Sequence, residues 1–144
     1  MRTGLADRNG SMRLGLDTTI LIDALRGAED VLDFLRDLSH RPYISAITVH
    51  EVIVGMRPDE EEQTLELLSW PLVVPVRATE AELSARWRRE YAAQGMTLDP
   101  YDTLIAACAY TTRATLLTAN ARDFPMQELQ VQTWPLEPRG EDSA

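Results

Sequence analysis

The chain has 144 residues, of which 44% are apolar, and a chain of this length can bury roughly 68% of its unfolded surface in one domain. Its fourteen basic residues are all arginines against twenty-three acidic residues, for a formal net charge of -9, and the lack of lysine excludes Schiff-base, P-loop and kinase-type chemistry. Because the single Cys108 forms no intramolecular disulfide and no stretch approaches the roughly 18 apolar residues of a membrane span, we expect a soluble cytoplasmic protein outside any membrane.

Short β-type runs alternate with stretches of helical period along the chain. We expect a flexible leader over residues 1–11, one folded domain over 12–134 and a flexible tail over 135–144. The strands are predicted at 14–17, 72–76, 114–118 and 129–134, and the helices at 19–27, 28–39, 46–56, 60–68, 79–95 and 100–113. Strands separated by helices predict the α/β class, with a central parallel sheet flanked by helices.

Several predicted helices have recognisable ends. Ser45 is a capping residue for the helix at 46–56, and Thr79 is the predicted cap of the long helix, with Glu82 at the capping-box position. Gly27 and Gly95 follow the last periodic residues of their helices and end them.

Polar side chains cluster where predicted strands end or helices begin. Asp17 ends the first strand, Asp102 opens the helix at 100–113, and Asn120 and Asp123 follow the strand at 114–118. In open parallel sheets the functional crevice lies beyond the carboxyl ends of the strands, so these side chains can converge there. Glu51 lies within an apolar run, where an isolated carboxylate is costly and needs a partner or a metal ion.

A cluster of carboxylates suits an oxygen cage for a hard cation. Mg²⁺ and Mn²⁺ prefer oxygen ligands, activate water and stabilise the charge that grows on a phosphate. The cluster therefore favours phosphodiester hydrolysis.

Each candidate also has a purely structural interpretation. Asp102 could be the N3 acid of a helix that Asp99 caps, and Asp17 could cap the helix after its strand. Glu51 could pair with an arginine, and Asp123 could be a turn residue.

Two other enzyme classes fail on the sequence. A zinc protease needs a second histidine three residues after Glu51, but that position is Val54. A haloacid-dehalogenase-type phosphatase needs an aspartate two residues after Asp17, and position 19 is threonine.

Four blocks, in order, resemble one known family over about residues 13–134. They are LDTTILID, ITVHEVIVG, DTLIAACAY and TLLTANARDF, and they are similar to the PIN-domain ribonucleases, specifically VapC-type toxins. The resemblance implies a doubly wound PIN domain and an acidic pocket that binds Mg²⁺ or Mn²⁺. The family's acids fall on Asp17, Glu51 and Asp102, with either Asn120 or Asp123 completing the site.

The same resemblance implies a metal-dependent endoribonuclease that is the toxin of a toxin–antitoxin pair. Its expected partners are an RNA substrate and a cognate antitoxin, whose short segment binds along the early helices and presents an arginine to the acidic pocket. A second surface is expected to form a homodimer. Because Asn120 is neutral, a catalytically silent PIN-like binding or scaffold protein remains the alternative.

Two further sets of residues suit these partners. Arginines near the pocket would offset the acidic net charge and contact phosphates; the candidates are Arg77, Arg86, Arg88, Arg89, Arg113 and Arg122. Large rings beyond the needs of a small core would form protein interfaces, and a core role for most of them is the alternative; the candidates are Phe34, Trp70, Trp87, Tyr91 and Tyr101.

Overall fold

The computed structural model of the protein describes residues 13–137. The predicted leader at 1–11, Met12 and the end of the predicted tail lie outside these residues. The described part of the chain contains five strands: β1 (Arg13–Leu16), β2 (Tyr43–Ser45), β3 (Leu72–Val74), β4 (Ala114–Thr118) and β5 (Val131–Thr133). It also contains six α-helices: α1 (Thr18–Leu25), α2 (Glu29–Arg36), α3 (Ala46–Val54), α4 (Glu61–Leu68), α5 (Ala78–Ala92) and α6 (Pro100–Thr111).

The five strands form one parallel sheet in the order β3-β2-β1-β4-β5. The predicted α/β class, with a parallel sheet flanked by helices, is confirmed. From β1 the chain builds outward through β2 and β3, and it later returns to the other side of β1 through β4 and β5. The strand order therefore reverses between β1 and β4, the point at which open α/β sheets form a crevice beyond the strand ends.

Apolar clusters cover the sheet on both faces, because alternate residues of a strand point to opposite sides. Leu117 of β4 packs into one cluster with Ile20 and Leu21 of α1. Its neighbour Leu116 packs into the other cluster, which contains Trp87 of α5. Partly buried hydrophobic side chains that pack against the first cluster include Trp134 and Leu136.

The short strand β2 is absent from the sequence prediction. Its three residues are too few to show a period, and Ser45 both ends the strand and caps the next helix. The predicted cap is confirmed, since the backbone N–H of Ile47 donates to Ser45 Oγ at 3.0 Å. The predicted strand at 72–76 ends early, because Pro75 has no N–H to donate to a neighbouring strand.

The predicted cap of the long helix is wrong by two residues. Helix α5 begins at Ala78, so Arg77 occupies the N-cap and Glu80, not Glu82, occupies the N3 position. The backbone N–H of Arg77 donates to Glu80 Oε1 at 2.9 Å. Thr79 is therefore inside the helix rather than its cap.

The predicted glycine stops are confirmed by backbone geometry. Gly27 and Gly95 have φ values of 85° and 83°, in the left-handed region that glycine adopts without strain. Among residues 13–137, no helix is both long and apolar enough to cross a membrane.

Candidate active site

Asp17 is the most deeply set of the candidate acids. It follows β1 directly and begins α1, where one carboxylate oxygen accepts from the backbone N–H of Thr18 at 2.8 Å. The other oxygen accepts from the hydroxyls of Thr118, at the end of β4, at 2.7 Å and of Thr19 at 3.1 Å. Burial raises the pKa of Asp17 above its ordinary value, and the hydrogen bond from Thr118 is the largest of the opposing effects.

Glu51 is joined to the same strand end through a hydroxyl group. Thr18 Oγ1 donates to Glu51 Oε1 at 2.6 Å and lies 3.0 Å from Thr48 Oγ1, so one turn of α3 faces the start of α1. Glu51 is half-buried.

The sequence-based view of its surroundings is wrong. Successive helix residues point in directions about 100° apart, so the neighbours Ile53 and Val54 are exposed and do not enclose the Glu51 carboxylate.

Asp102 lies in the first turn of α6, half-buried, among other carboxylates. Burial, followed by the negative charges of Asp99, Asp17, Asp123 and Glu51 in that order, raises the pKa of Asp102 to about 7. Each of these four acids is close enough to act on Asp102. The charges of three other candidate acids thus reach Asp102, while the assignment of these acids to an active site stays a prediction.

The last two candidates lie in the turn after β4. The backbone N–H of Asn120 donates to Thr118 Oγ1 at 2.9 Å, while the Asn120 side chain is exposed. The charge of Asp123 contributes to the raised pKa of both Asp17 and Asp102. A cavity of about 480 Å³ is lined by residues 119–123. Only Asp123 of the two alternatives carries a charge, and which of them completes the site stays a prediction.

The donor set of this cluster suits a hard divalent cation. Carboxylate oxygens are the ligands that Mg²⁺ and Mn²⁺ prefer, and crowded negative charges are relieved by a cation. Within residues 13–137, no three His, Cys, Asp or Glu side chains already have an arrangement that could hold a metal ion. The fit therefore depends on charge and donor type.

Several site residues were missed or underrated from the sequence. Asp99 was interpreted as a cap, yet its side chain makes no capping hydrogen bond and its charge is the strongest of those acting on Asp102. The signal was its spacing, since residues three apart share a helix face. Thr19 and Thr48 gave no signal, because hydroxyl groups at helix starts are common.

Two of the proposed phosphate-binding arginines lie away from the acids. Arg113 precedes β4, and with Arg77 it lines a cavity of about 670 Å³ at the amino edge of the sheet. Arg77 Nη2 also forms an ion pair with Glu80 Oε2 at 2.6 Å. Arg122 is exposed beside Asp123 and remains a candidate.

The ring prediction was also partly wrong. Phe34 and Trp87 are buried core residues, since their neighbours leave only 6% and 1% of each exposed. Tyr91 donates its hydroxyl to the carbonyl of Pro125, whereas Tyr101 stays 43% exposed.

The strand order and the cluster at its reversal point define a doubly wound α/β domain with an acidic crevice. Residues 15–127 match the family model of the PIN domain. The chain therefore belongs to the PIN-domain family, and the resemblance noted from its four sequence blocks is confirmed.

Known proteins resemble the chain over most of its length. It is 34% identical over 119 residues to Ribonuclease VapC19 of Mycobacterium tuberculosis, covering 77% of this chain and 91% of that protein. It is 32% identical over 133 residues to Ribonuclease VapC1 of Rickettsia felis, covering 85% and 96%. Both relatives carry the name ribonuclease.

Solved structures show the same similarity. A chain of a toxin-antitoxin complex from Klebsiella pneumoniae has a TM-score of 0.71 and 32% identity, over 83% of this chain and 96% of that one. A chain of VapBC2 from Rickettsia felis bound to a DNA fragment from their promoter has a TM-score of 0.74 at 24% identity, covering 85% and 99%. The second similarity concerns the fold alone.

Proposed function

We propose that this protein is a metal-dependent endoribonuclease and the toxin of a toxin–antitoxin pair, acting in the cytoplasm. One observation carries the proposal: the charges of Asp17, Glu51 and Asp123 all act on Asp102, beyond the ends of β1 and β4. Such crowding raises the free energy of the folded protein, so it needs a compensating function. The names of the two ribonuclease relatives support hydrolysis of RNA.

In this proposal Asp17, Glu51, Asp102 and Asp123 hold Mg²⁺ or Mn²⁺, with Asn120 as a neutral neighbour. When bound, the cation supplies positive charge that stabilises the phosphate and helps a water molecule to lose its proton. The hydroxyls of Thr18 and Thr118 hold Glu51 and Asp17 in fixed orientations through their hydrogen bonds. Carboxylates fixed in this way lose little side-chain freedom when a cation binds.

Arg122 is the proposed phosphate contact beside the acids. It is exposed in the short turn that also contains Asp123, next to the cavity lined by residues 119–123. A guanidinium group binds phosphate oxygens through two parallel hydrogen bonds and offsets part of the local negative charge. RNA can therefore approach the acids despite a net charge of -9.

Incubation of the purified protein with total RNA, with Mn²⁺ or with EDTA, tests the activity. We expect cuts at defined positions that appear only with the cation, detected by mapping of RNA ends. Asp102→Asn is the matched control for contaminating nucleases. Absence of metal-dependent cuts in the wild-type protein would favour the alternative, a catalytically silent scaffold protein.

The proposed protein partners are a cognate antitoxin and a second copy of the chain. Toxin-antitoxin complexes among the similar solved structures support an antitoxin. Large apolar side chains exposed on α3, α4 and β3 offer surface for protein contacts; they are Ile53, Val54, Leu65, Leu72 and Val73. An antitoxin arginine that enters the acidic pocket would block cation and RNA together.

Co-expression with the neighbouring upstream reading frame tests both partners. We expect the chain alone to stop growth, the neighbouring product to restore it, and the two to co-purify. Size-exclusion chromatography is expected to give a dimer. A harmless monomer that the neighbouring product does not bind would contradict this part of the proposal.

A further inference from the structure

Two aromatic side chains pair across the two helices that carry Glu51 and Asp102. The rings of His50 and Tyr101 meet edge to face, with centroids 5.8 Å apart and planes at 71°. His50 directly precedes Glu51 on α3, and Tyr101 directly precedes Asp102 on α6. The ring pair therefore bridges the two helices that carry these acids.

Tyr101 is only partly buried. Tyrosine is a large, partly apolar side chain, and 43% of Tyr101 remains in contact with water. The edge-to-face contact with His50 restricts the orientation of the ring, while the exposed fraction leaves part of the residue accessible to another group. An oriented and accessible ring is the feature on which unpaired nucleic-acid bases stack.

We propose that Tyr101, held in position by His50, is a stacking platform for an unpaired RNA base next to the phosphate that is cut. This inference rests on the proposed ribonuclease function and adds a base-binding residue to that site. Base stacking is uncharged, so beside the acids it adds binding energy to that of the proposed Arg122 phosphate contact.

The chain contains a matched control for this residue. Tyr110 lies on the same helix, is 44% exposed, and forms an edge contact with Trp87 at 6.0 Å and 81°. It is nine residues further along α6, about 13 Å away at 1.5 Å per residue, at the end remote from the acids. Substitution of Tyr110 removes a similar ring with a similar contact, without touching the proposed platform.

The experiment measures cleavage of a short single-stranded RNA that contains one mapped cut site. For Tyr101→Ala we expect KM to rise about tenfold, with kcat within about twofold of the wild-type value. Tyr101→Phe keeps the ring and is expected to behave like the wild-type protein, as is Tyr110→Ala. His50→Phe is expected to preserve KM, while His50→Ala raises it less than Tyr101→Ala does.

An RNA without the base beside the cut phosphate separates stacking from folding effects. On this substrate the KM of the wild-type protein should rise about tenfold, whereas the KM of Tyr101→Ala should not rise further. The Tyr101→Ala effect should also be equal at 50 and 200 mM salt. The effect of Arg122→Gln, which removes a charge, should shrink as salt increases.

Each other result bears on one of the two proposals. If the wild-type protein cuts RNA and Tyr101→Ala matches Tyr110→Ala in KM, the platform is wrong and the ribonuclease stands. If Tyr101→Ala weakens only the binding of the neighbouring reading frame's product, the ring is a protein contact and the platform is again wrong. If labelled single-stranded RNA binds in EDTA through Tyr101 but is not cut when Mn²⁺ is supplied, base stacking by Tyr101 stands, while the ribonuclease function and the position beside a cut phosphate are wrong.

Discussion

Acidic side chains near the two ends of α6 have opposite surroundings, and their pKa values shift in opposite directions. At its start, Asp102 is half-buried among other carboxylates, and burial with their charges raises its pKa to about 7. Near its end, Glu80 of α5 is fully buried, and the hydrogen bond from Arg77 lowers the pKa of Glu80 to about 2. The hydrogen bond from Arg77 therefore stabilises the charged form of the buried Glu80, whereas no comparable effect from the described residues offsets the raised pKa of Asp102. Acids kept under strain in this way are typical of functional sites.

The largest expected effect is on RNA cleavage, which we expect to depend on Asp102 and not on Glu80. Asp102→Asn keeps the side-chain shape but removes a charge from the crevice, and we expect RNA cleavage to fall about a hundredfold or more. Glu80→Gln should cleave at nearly the wild-type rate at temperatures where it remains folded. Initial rates normalised to folded protein would test this, and similar losses in both variants would contradict the division between the two ends.

A cation should stabilise only the crevice end. At a hundredfold excess over its dissociation constant, Mn²⁺ that binds the folded state alone adds about 2.7 kcal/mol to the free energy of unfolding. Glu51→Gln should reduce that gain, and Glu80→Gln should retain it. Thermal melting with and without millimolar Mn²⁺ measures the shift, and unchanged wild-type melting would remove the metal from the proposal.

Glu80→Gln should reduce stability by about 2 kcal/mol near pH 7, because it removes the charge of the buried partner in an ion pair whose other member, Arg77, has a side chain that is 60% exposed. A lowered folded pKa means that the Glu80 charge contributes stability above its ordinary value of 4.5, and that this contribution is lost as pH falls towards about 2. Urea unfolding at pH 7 and pH 3 should show the difference between wild type and variant shrinking. A difference in the free energy of unfolding that is the same at both pH values would contradict this prediction.

Asp102→Asn should increase stability, unlike Glu80→Gln, and this is the smallest of the predicted effects. The raised folded pKa means that the charge lowers stability progressively as pH rises from the ordinary value of 3.8 to about 7. With EDTA present, the variant should gain about 1 kcal/mol at pH 8, discounted for the partial exposure of Asp102, and almost nothing at pH 4. A loss of stability at pH 8 would mean that Asp102 has a structural role.

The sequence was most informative where the chain itself encodes the answer. The strand at 114–118 was predicted with its correct bounds, because five apolar and β-branched residues form a distinct run between two turns. The convergence of acids was predictable as well, since parallel strands all end at one edge of the sheet. The family resemblance carried the choice of Asp17, Glu51 and Asp102.

What escaped prediction depends on contacts between distant parts of the chain. The three-residue strand β2 is defined by its pairing with β1 and β3, which no local pattern encodes. Arg77 pairs with Glu80 away from the crevice, although its positive charge had suggested a phosphate contact. Likewise, the neighbours of Glu51 along the sequence are not its neighbours in space.

The position of Asp17 has a consequence for how such a protein can change over generations. Its carboxylate caps α1 and accepts from Thr118 of the adjacent strand, so it supports the fold as well as the crevice. Replacement of Asp102 or Asp123 does not remove this link between α1 and β4. A lineage that gives up its activity is therefore expected to lose Asp102 or Asp123 first and to keep Asp17, so that an aspartate at position 17 alone is a poor sign of an active enzyme.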